Sequence, residues 1–272
     1  MLAWLPPGVE LIDDPSPADW IVERLRPWDR DGVRLRSFVP DRFDAYVRVL
    51  HPAGYRPPHR GGRDPSEAVS WGDLARARGV ELTPDITFPE ASGIGSEDQR
   101  VLDELAPLDG ELAPEWCEAL VAVLRPHTST PERCWFCMWE GNGSFWSQAH
   151  GPGYPDGASA EEIERYWAEA RAQDELLEST PRVEMPARRY FLFRGPVEAA
   201  GAFEPGGSYT SPNLWWPDDR AWLVITEIDG YSTYVGGSRA AIGDVLASAD
   251  METIEVTLDT YMDPELYPPR WR

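Results

Sequence analysis

The chain is organised around the stretch from Ser211 to Val256, whose centre reads Pro212-Asn213-Leu214-Trp215-Trp216-Pro217-Asp218-Asp219-Arg220-Ala221-Trp222. From position 221 to 229 the residues are mainly β-branched and aromatic, and the first half of this run is apolar on both alternating faces. This pattern predicts a strand that is covered on both sides. The dipeptide Asp229-Gly230 suits the positive φ angles of a type I′ turn, so residues 231–235 are predicted to return as an antiparallel strand.

A helix and a further strand are predicted after this hairpin. Ser238 is placed to cap a helix that ends near Asp250 and whose apolar residues recur at helical spacing, namely Ile242, Val245, Leu246 and Ala249. Residues 253–259 then alternate between polar and apolar types, which predicts a strand with one buried and one solvated face.

The rest of the chain mixes strands and helices without regular alternation. Strands are predicted at 33–39, 43–50, 133–140 and 189–194, and helices after Ser16, after Ser70, at 114–124 and after Ser159. Residues 82–113 are rich in Pro and Gly, so we expect an irregular connection with one helical turn near 97–105, or a flexible linker. The fold class is α+β with a mainly antiparallel sheet, in one domain over 1–272 or in two closely packed lobes divided within 82–114.

The composition is strongly acidic, with 25 Arg, no Lys and 47 Asp plus Glu, for a net charge of −22. Such a field repels nucleic acid and anionic membranes and favours a basic protein partner, although solubility alone also explains it. The absence of Lys excludes Schiff-base chemistry through this side chain.

With no run of 18 apolar residues and no basic start, neither a membrane span nor a signal peptide is expected. The three Cys fit a reducing, cytoplasmic location.

Cys134-Trp135-Phe136-Cys137 is a C-x-x-C motif, which suits a redox pair or half of a zinc site. The motif lies inside a predicted strand, where residues three apart point to opposite faces. We therefore favour buried cysteines, and we expect no metal site and no cofactor.

Two other patterns have a plain structural interpretation. The four histidines, His51, His59, His127 and His150, lack metal-site spacing, and we interpret them as structural or surface residues. The triplet at 236–238 could offer backbone N–H groups to an anion, but a turn followed by a helix cap explains it better.

Four carboxylates flank the central strand. Asp218, Asp219, Glu227 and Asp229 could work as an acid and base pair if burial separates their pKa values, whereas turn formation and solvent exposure explain them equally simply.

Aromatic and polar side chains alternate at the centre of the chain and make the most suggestive binding group. We predict ligand or partner contacts at Asn213, Trp215, Trp216, Asp218, Asp219, Arg220, Trp222 and Glu227, facing a turn at 141–146. Core packing also explains the rings and is favoured over binding, and Trp215 is the ring expected to be partly exposed.

Three blocks, at 130–141, 189–196 and 211–238, together with 46–52, resemble a family of uncharacterised proteins from high-GC actinobacteria. The resemblance covers most of the chain and implies no activity, cofactor or catalytic residue. The hypothesis from sequence is a non-enzymatic cytoplasmic binding protein, immunity-like or regulatory, with an acidic surface. The alternative is a small-molecule hydrolase that uses carboxylates near 218–229 in a Trp-lined pocket.

Overall fold

A computed structural model of the protein describes residue 2 and residues 4–27, 33–55, 67–95, 99–146, 157–186 and 188–262. The strands in these residues are β1 (Glu10–Ile12), β2 (Ala45–Leu50), β3 (Cys134–Trp139), β4 (Val183–Met185), β5 (Arg188–Gly195), β6 (Leu214–Pro217), β7 (Trp222–Thr226), β8 (Ser232–Gly237) and β9 (Thr253–Val256). The helices are α1 (Asp19–Val22), α2 (Trp71–Arg78), α3 (Phe88–Ser92), α4 (Gln99–Leu105), α5 (Pro114–Leu124), α6 (Ala160–Ser179) and α7 (Arg239–Ala247).

All nine described strands join one open sheet, in which eight follow the order β1-β5-β3-β6-β7-β8-β2-β9 and β4 lies off this path. Every described pair is antiparallel, and β4 pairs with the first part of β5 while β1 pairs with its last part. The predicted α+β class with an antiparallel sheet is therefore confirmed.

The sheet is covered on both faces, as the central strand pattern predicts. Trp222 and Val224 of β7 lie in one core with α5 and α7, whereas Leu223 and Ile225 lie in a second core with α1. Alternating residues of a strand point to opposite faces, so a run that is apolar throughout serves both cores.

Three of the serine caps that the sequence predicts are present, whereas Ser16 lies in a 3₁₀ turn (16–18) before α1 and caps neither element. Ser70 accepts the Asp73 N–H at 3.0 Å, and Gly79 ends α2 in the left-handed conformation at φ 69°. Ser159 opens α6 with a capping box, and Ser238 accepts the Ala241 N–H at the start of α7. Local side-chain chemistry thus sets these helix ends.

Two of the predicted local structures are wrong. Residues 35–37 form a 3₁₀ helix instead of part of a strand, because the Phe38 N–H donates to the Leu35 carbonyl at 3.0 Å and satisfies the backbone locally. The turn after β7 is wider than two residues, since the last pair is Thr226 with Thr233. Its backbone folds back on Glu227, whose carboxylate accepts the Asp229 N–H at 2.6 Å.

The described part of 82–113 is packed and is not a linker. Thr87 and Glu90 form a capping box at the start of α3, a helix that the weak periodicity did not predict. Phe88 and Ala91 are buried against Trp71 of α2, and α4 supplies the helical turn expected near 97–105.

Helix α6 is long but contributes little to the core. Along this helix Leu177 is buried, whereas the other apolar residues Ile163, Tyr166, Trp167 and Ala170 remain partly exposed. None of the helices in the described ranges has the length and apolar character that crossing a membrane requires.

Candidate functional site

Strand β6 lies between β3 and β7, and the candidate site lies at the end of the sheet where β6 begins. Asn213 lies just before β6, and its side-chain oxygen accepts the Trp139 N–H at 2.8 Å while its amide group donates to the Thr226 carbonyl at 3.4 Å. The Asn213 backbone also bonds Cys137 and Thr226. One buried side chain therefore holds β3 and β7 together at the point where the strand between them begins.

A cleft of about 290 Å³ lies at this end of the sheet, and we name it the β6 cleft. Its walls come from three separate parts of the chain, the 109–111 loop, the end of β3 with its turn, and the 210–213 segment. The lining residues are Asp109, Gly110, Glu111, Trp139, Gly141, Asn142, Gly143, Thr210, Ser211, Asn213 and Ile228. The cleft thus joins Asn213 to the turn at 141–143, two features that the sequence predicts to face each other.

A close backbone contact positions the 109–111 loop. Gly110 has φ 67°, and its N–H donates to the Gly230 carbonyl at 2.9 Å. A β-carbon at Gly110 would lie 2.1 Å from the Ile228 carbonyl oxygen, so a larger residue would not fit without backbone movement. The glycine lets this loop pack directly on the turn after β7.

Hydrogen bonds connect the polar side chains of the cleft wall. The Asn142 amide donates to Thr210 Oγ1 at 3.2 Å, and the Thr210 hydroxyl donates to Glu111 Oε1 at 3.0 Å. Ser211 Oγ accepts the Leu112 N–H at 2.9 Å. These bonds fix the wall before any ligand arrives.

The charged side chains among the described residues that line the β6 cleft are both acidic. Asp109 is exposed at its rim and Glu111 is buried in its wall, and among the described residues that line it none is basic. Burial raises the pKa of the adjacent Tyr209 well above its usual value, with the neighbouring Cys117 and Glu111 adding to the effect. The cleft therefore suits a cation or a neutral polar group and repels an anion.

The tryptophans predicted to line a site lie in the core instead. Trp215 and Trp222 pack edge to face at 5.2 Å between ring centroids on one side of the sheet, and Trp216 lies on the other side. The prediction that Trp215 is partly exposed is wrong, because its exposed fraction is 1%. The half-buried aromatic residue at the cleft is Trp139.

Asp218, Asp219 and Arg220 lie beyond the opposite end of β6 from Asn213, and the four residues of that strand span about 13 Å. Asp218 pairs with Arg133 at 3.0 Å and accepts the Trp135 indole N–H. Asp219 accepts from Ser129 and holds the turn, and these bonds hold its pKa below the usual value although burial opposes the shift. Both carboxylates therefore have structural bonds and lie away from the cleft.

Glu227 lies beside the cleft but not in its wall. Its exposed fraction is 3%, and its carboxylate lies 3.2 Å from the Arg188 guanidinium, which also pairs with Asp229 at 3.0 Å. The expected solvent exposure of this group is wrong for Glu227. A buried pair of this kind fixes the turn after β7.

The cysteines lie as their strand positions predict. Cys134 belongs to one core and Cys137 to the other, so the two thiols are on opposite faces of β3. Burial raises the pKa of the Cys117 thiol to about 12 and also raises that of Cys137. Within the described ranges no group of three or more His, Cys, Asp or Glu side chains is arranged to hold a metal ion.

Two of the histidines lie in described parts of the chain. His51 is buried and bonded on both ring nitrogens, and His127 lies 2.8 Å from Asp244 near the surface. His59 and His150 lie outside the described residues. Gly236 and Gly237 belong to β8, and Ser238 is the cap of α7, as the structural interpretation expects.

Sequence reasoning missed Asp109, Glu111 and Thr210. They lie in segments without helical or strand periodicity, and they meet only because the chain folds back on itself. The single local signal is Gly110, a residue type that permits a left-handed turn.

No protein-family model, no curated protein and no solved structure matches the chain. The resemblance to a family from high-GC actinobacteria therefore stays a prediction.

Proposed function

We propose that the protein is a non-enzymatic cytoplasmic binding protein, immunity-like or regulatory, that uses its acidic surface against a basic protein partner. The observation that carries this proposal is the β6 cleft, which places Asp109 and Glu111 at a preformed opening lined by no basic side chain among the described residues. We propose that a Lys or Arg side chain of the partner enters this cleft.

The size and rigidity of the cleft support the capture of one side chain. A volume of about 290 Å³ is at the lower limit of ligand pockets, which suits a side chain or a small molecule better than a large cofactor. The hydrogen bonds from Asn142 through Thr210 to Glu111 keep the wall in place, so little ordering cost is added on binding.

Charge on the whole molecule supports the same partner class. A net charge of −22 speeds the encounter with a basic protein and repels nucleic acid. The three cysteines are unpaired, as is usual in a reducing compartment such as the cytoplasm.

The positions of the carboxylates and tryptophans near β6 support the hydrolase alternative less well than the binding protein. It needs carboxylates near 218–229 inside a Trp-lined pocket, whereas Asp218 and Asp219 make structural bonds and the neighbouring rings are buried. Ser211 in the cleft accepts a backbone N–H, and no hydrogen bond to a histidine activates it in the described part of the chain.

A binding titration tests the proposal at the cleft. Capped arginine and capped lysine serve as probes, and NMR follows the Trp139 indole and the Asn142 side-chain amide. We expect saturable shifts that weaken with added salt, and we expect Asp109→Asn to weaken binding about threefold to tenfold. Glu255→Gln on β9 removes the same charge from an exposed site at the sheet edge and should leave the affinity unchanged.

A pulldown from the cytoplasm of the source cell then tests the partner class. The expected result is one stoichiometric basic protein that salt elutes and that Asp109→Asn retains poorly. If neither probe binds and low-salt capture repeatedly yields no basic protein, the proposed function is wrong.

A further inference from the structure

Two arginines converge on one aromatic ring at the far end of β6, and a third lies near enough for its charge to act on one of them. The Cζ atoms of Arg42 and Arg220 lie 4.8 Å and 5.5 Å from the centroid of the Trp20 ring, and the charge of Arg24 acts on the same Arg42. We name this group the Trp20 arginine cluster. A cluster of cations is unexpected on a protein whose net charge is −22.

Both loops that carry the cluster are held in place. The Tyr46 hydroxyl donates to the Pro40 carbonyl at 3.0 Å and accepts the Phe43 N–H at 3.3 Å, which fixes the loop on either side of Arg42. The Arg220 N–H donates to the Pro217 carbonyl at 2.8 Å. The two guanidinium groups are therefore presented by ordered backbone.

Arg220 also has an unusual backbone. Its φ of 58° is the one positive value at a non-glycine residue in the described ranges. The left-handed region costs an ordinary side chain about 1 kcal/mol or more, and such costs concentrate at functional positions. A glycine or asparagine would form this turn more easily, so the arginine points to a role for its side chain.

The nearby carboxylates do not neutralise the two central arginines. Asp218 pairs with Arg133, Asp219 bonds Ser129, and Asp41 lies 3.4 Å from Arg24. Within the described part of the chain neither Arg42 nor Arg220 forms an ion pair.

The protonation behaviour of Arg42 agrees with this arrangement. Burial lowers its pKa, and the positive charges of Arg220 and Arg24 lower it further. An anion that contacts both guanidinium groups would reduce this repulsion.

We propose that the Trp20 arginine cluster binds the phosphate group of a small phosphate monoester. Two guanidinium groups balance the two charges of a phosphate dianion, whereas a carboxylate would balance only one. Guanidinium also offers paired N–H donors that match phosphate oxygens. This site is separate from the β6 cleft, because it lies at the other end of the strand and has the opposite charge.

Two observations restrict which phosphate compounds suit this site. The overall negative charge opposes a polyanion such as nucleic acid, so a single phosphate group is favoured. The Trp20 ring is only 7% exposed, and therefore it supports the arginines and is not open for stacking with a base.

Methyl phosphate, inorganic phosphate and acetate are the probes for an NMR titration that follows the Trp20 indole signal. We expect methyl phosphate to bind saturably, with an affinity that rises from about pH 5 to about pH 7 as the second charge forms. Arg42→Gln and Arg220→Asn should each weaken this binding at least about tenfold. Asparagine tolerates the left-handed backbone, so Arg220→Asn keeps the fold, and exposed Arg171→Gln on α6 is the matched control.

The relative affinities of the three probes and of the variants support or overturn the proposed phosphate site. Equal binding of methyl phosphate and inorganic phosphate supports recognition of the phosphate group itself, and tighter binding of methyl phosphate supports a monoester. Binding of inorganic phosphate alone assigns the site to the free ion and overturns the monoester. No saturable shift, equal binding of acetate, or equal losses in the Arg171→Gln variant also overturns the proposal.

Discussion

His51 is a buried histidine with a partner on each ring nitrogen. Its Nδ1 lies 2.8 Å from the Leu108 carbonyl oxygen, which can only accept, so Nδ1 carries the proton. Nε2 lies 2.9 Å from Thr233 Oγ1 and therefore accepts from that hydroxyl. Burial lowers the pKa of His51 from 6.5 to about 4, and the positive charge of Arg48 adds to the effect, although the bond to Leu108 opposes it.

This histidine should make the protein less stable in mild acid. Between pH 6.5 and pH 4 His51 is protonated in the unfolded state but neutral in the folded state. The contribution of neutral His51 to the free energy of unfolding is therefore fully present above pH 6.5 and is lost as the pH falls toward 4. The free energy of unfolding should fall by about 3 kcal/mol across this window. Urea titrations at several pH values measure the change.

A matched pair of variants assigns the effect. His51→Asn keeps a donor for Leu108 but cannot titrate, so its stability should depend less on pH between 7 and 5 although it starts lower. Asn142→Ala changes no titratable group and should keep the wild-type slope. Equal slopes in wild type and His51→Asn would contradict the assignment.

At the scale of elements, the start of β6 depends on one side chain. Asn213 supplies an acceptor to Trp139 and a donor to Thr226, both buried backbone groups. Asn213→Ala should lower the free energy of unfolding by about 1–3 kcal/mol, because the Trp139 N–H loses its partner. Denaturant unfolding gives the value, and Asn142→Ala in the half-buried turn should cost less. An Asn213→Ala protein that is as stable as the wild type and keeps the β6 cleft would show that the Asn213 side chain is not needed to hold β3 and β7 together.

Elements with a local signal were predictable from the sequence. Helix α7 carries a serine cap and apolar residues at helical spacing, and its start follows from them, whereas it ends at Ala247, before the predicted end near Asp250. Residues 33–39 have the composition of a strand, yet Leu35 and its neighbours pack as a compact turn under the sheet. Strand β6 was not predicted, since four residues are too few to show a period.

The candidate site was harder to predict than the fold. Asn213 and the turn at 141–143 were identified, but Glu111 enters the cleft through a loop about a hundred residues earlier in the chain than Thr210, its hydrogen-bond partner. The aromatic rings were assigned to a groove because a tryptophan-rich run suits either a pocket or a core, and only packing distinguishes the two.

At the scale of the whole molecule, a net charge of −22 opposes the folded state through self-repulsion. Raising the sodium chloride concentration from about 0.01 M to about 0.15 M shortens the screening length from about 30 Å to about 8 Å. We expect a stabilisation on the order of 1 kcal/mol, which corresponds to a rise of about 2–4 °C in Tm. Calorimetry at neutral pH measures it.

The dependence on concentration separates screening from other effects of salt. Screening should level off once the screening length is shorter than the spacing of surface charges, whereas preferential exclusion continues to grow with concentration. A Tm that does not change over the low range would show that the acidic groups are too far apart to repel one another.

The sheet is open, yet its edge strands are short. Strands β1 and β4 have three residues each and β9 has four, and each carries an exposed glutamate, Glu10, Glu184 or Glu255. Long uncharged edges recruit further chains and lead to fibrous aggregates. Few backbone groups remain free on such short edges, and a second copy would bring its own carboxylates against them. We therefore expect concentrated solutions of the folded protein to resist strand-by-strand growth into fibres.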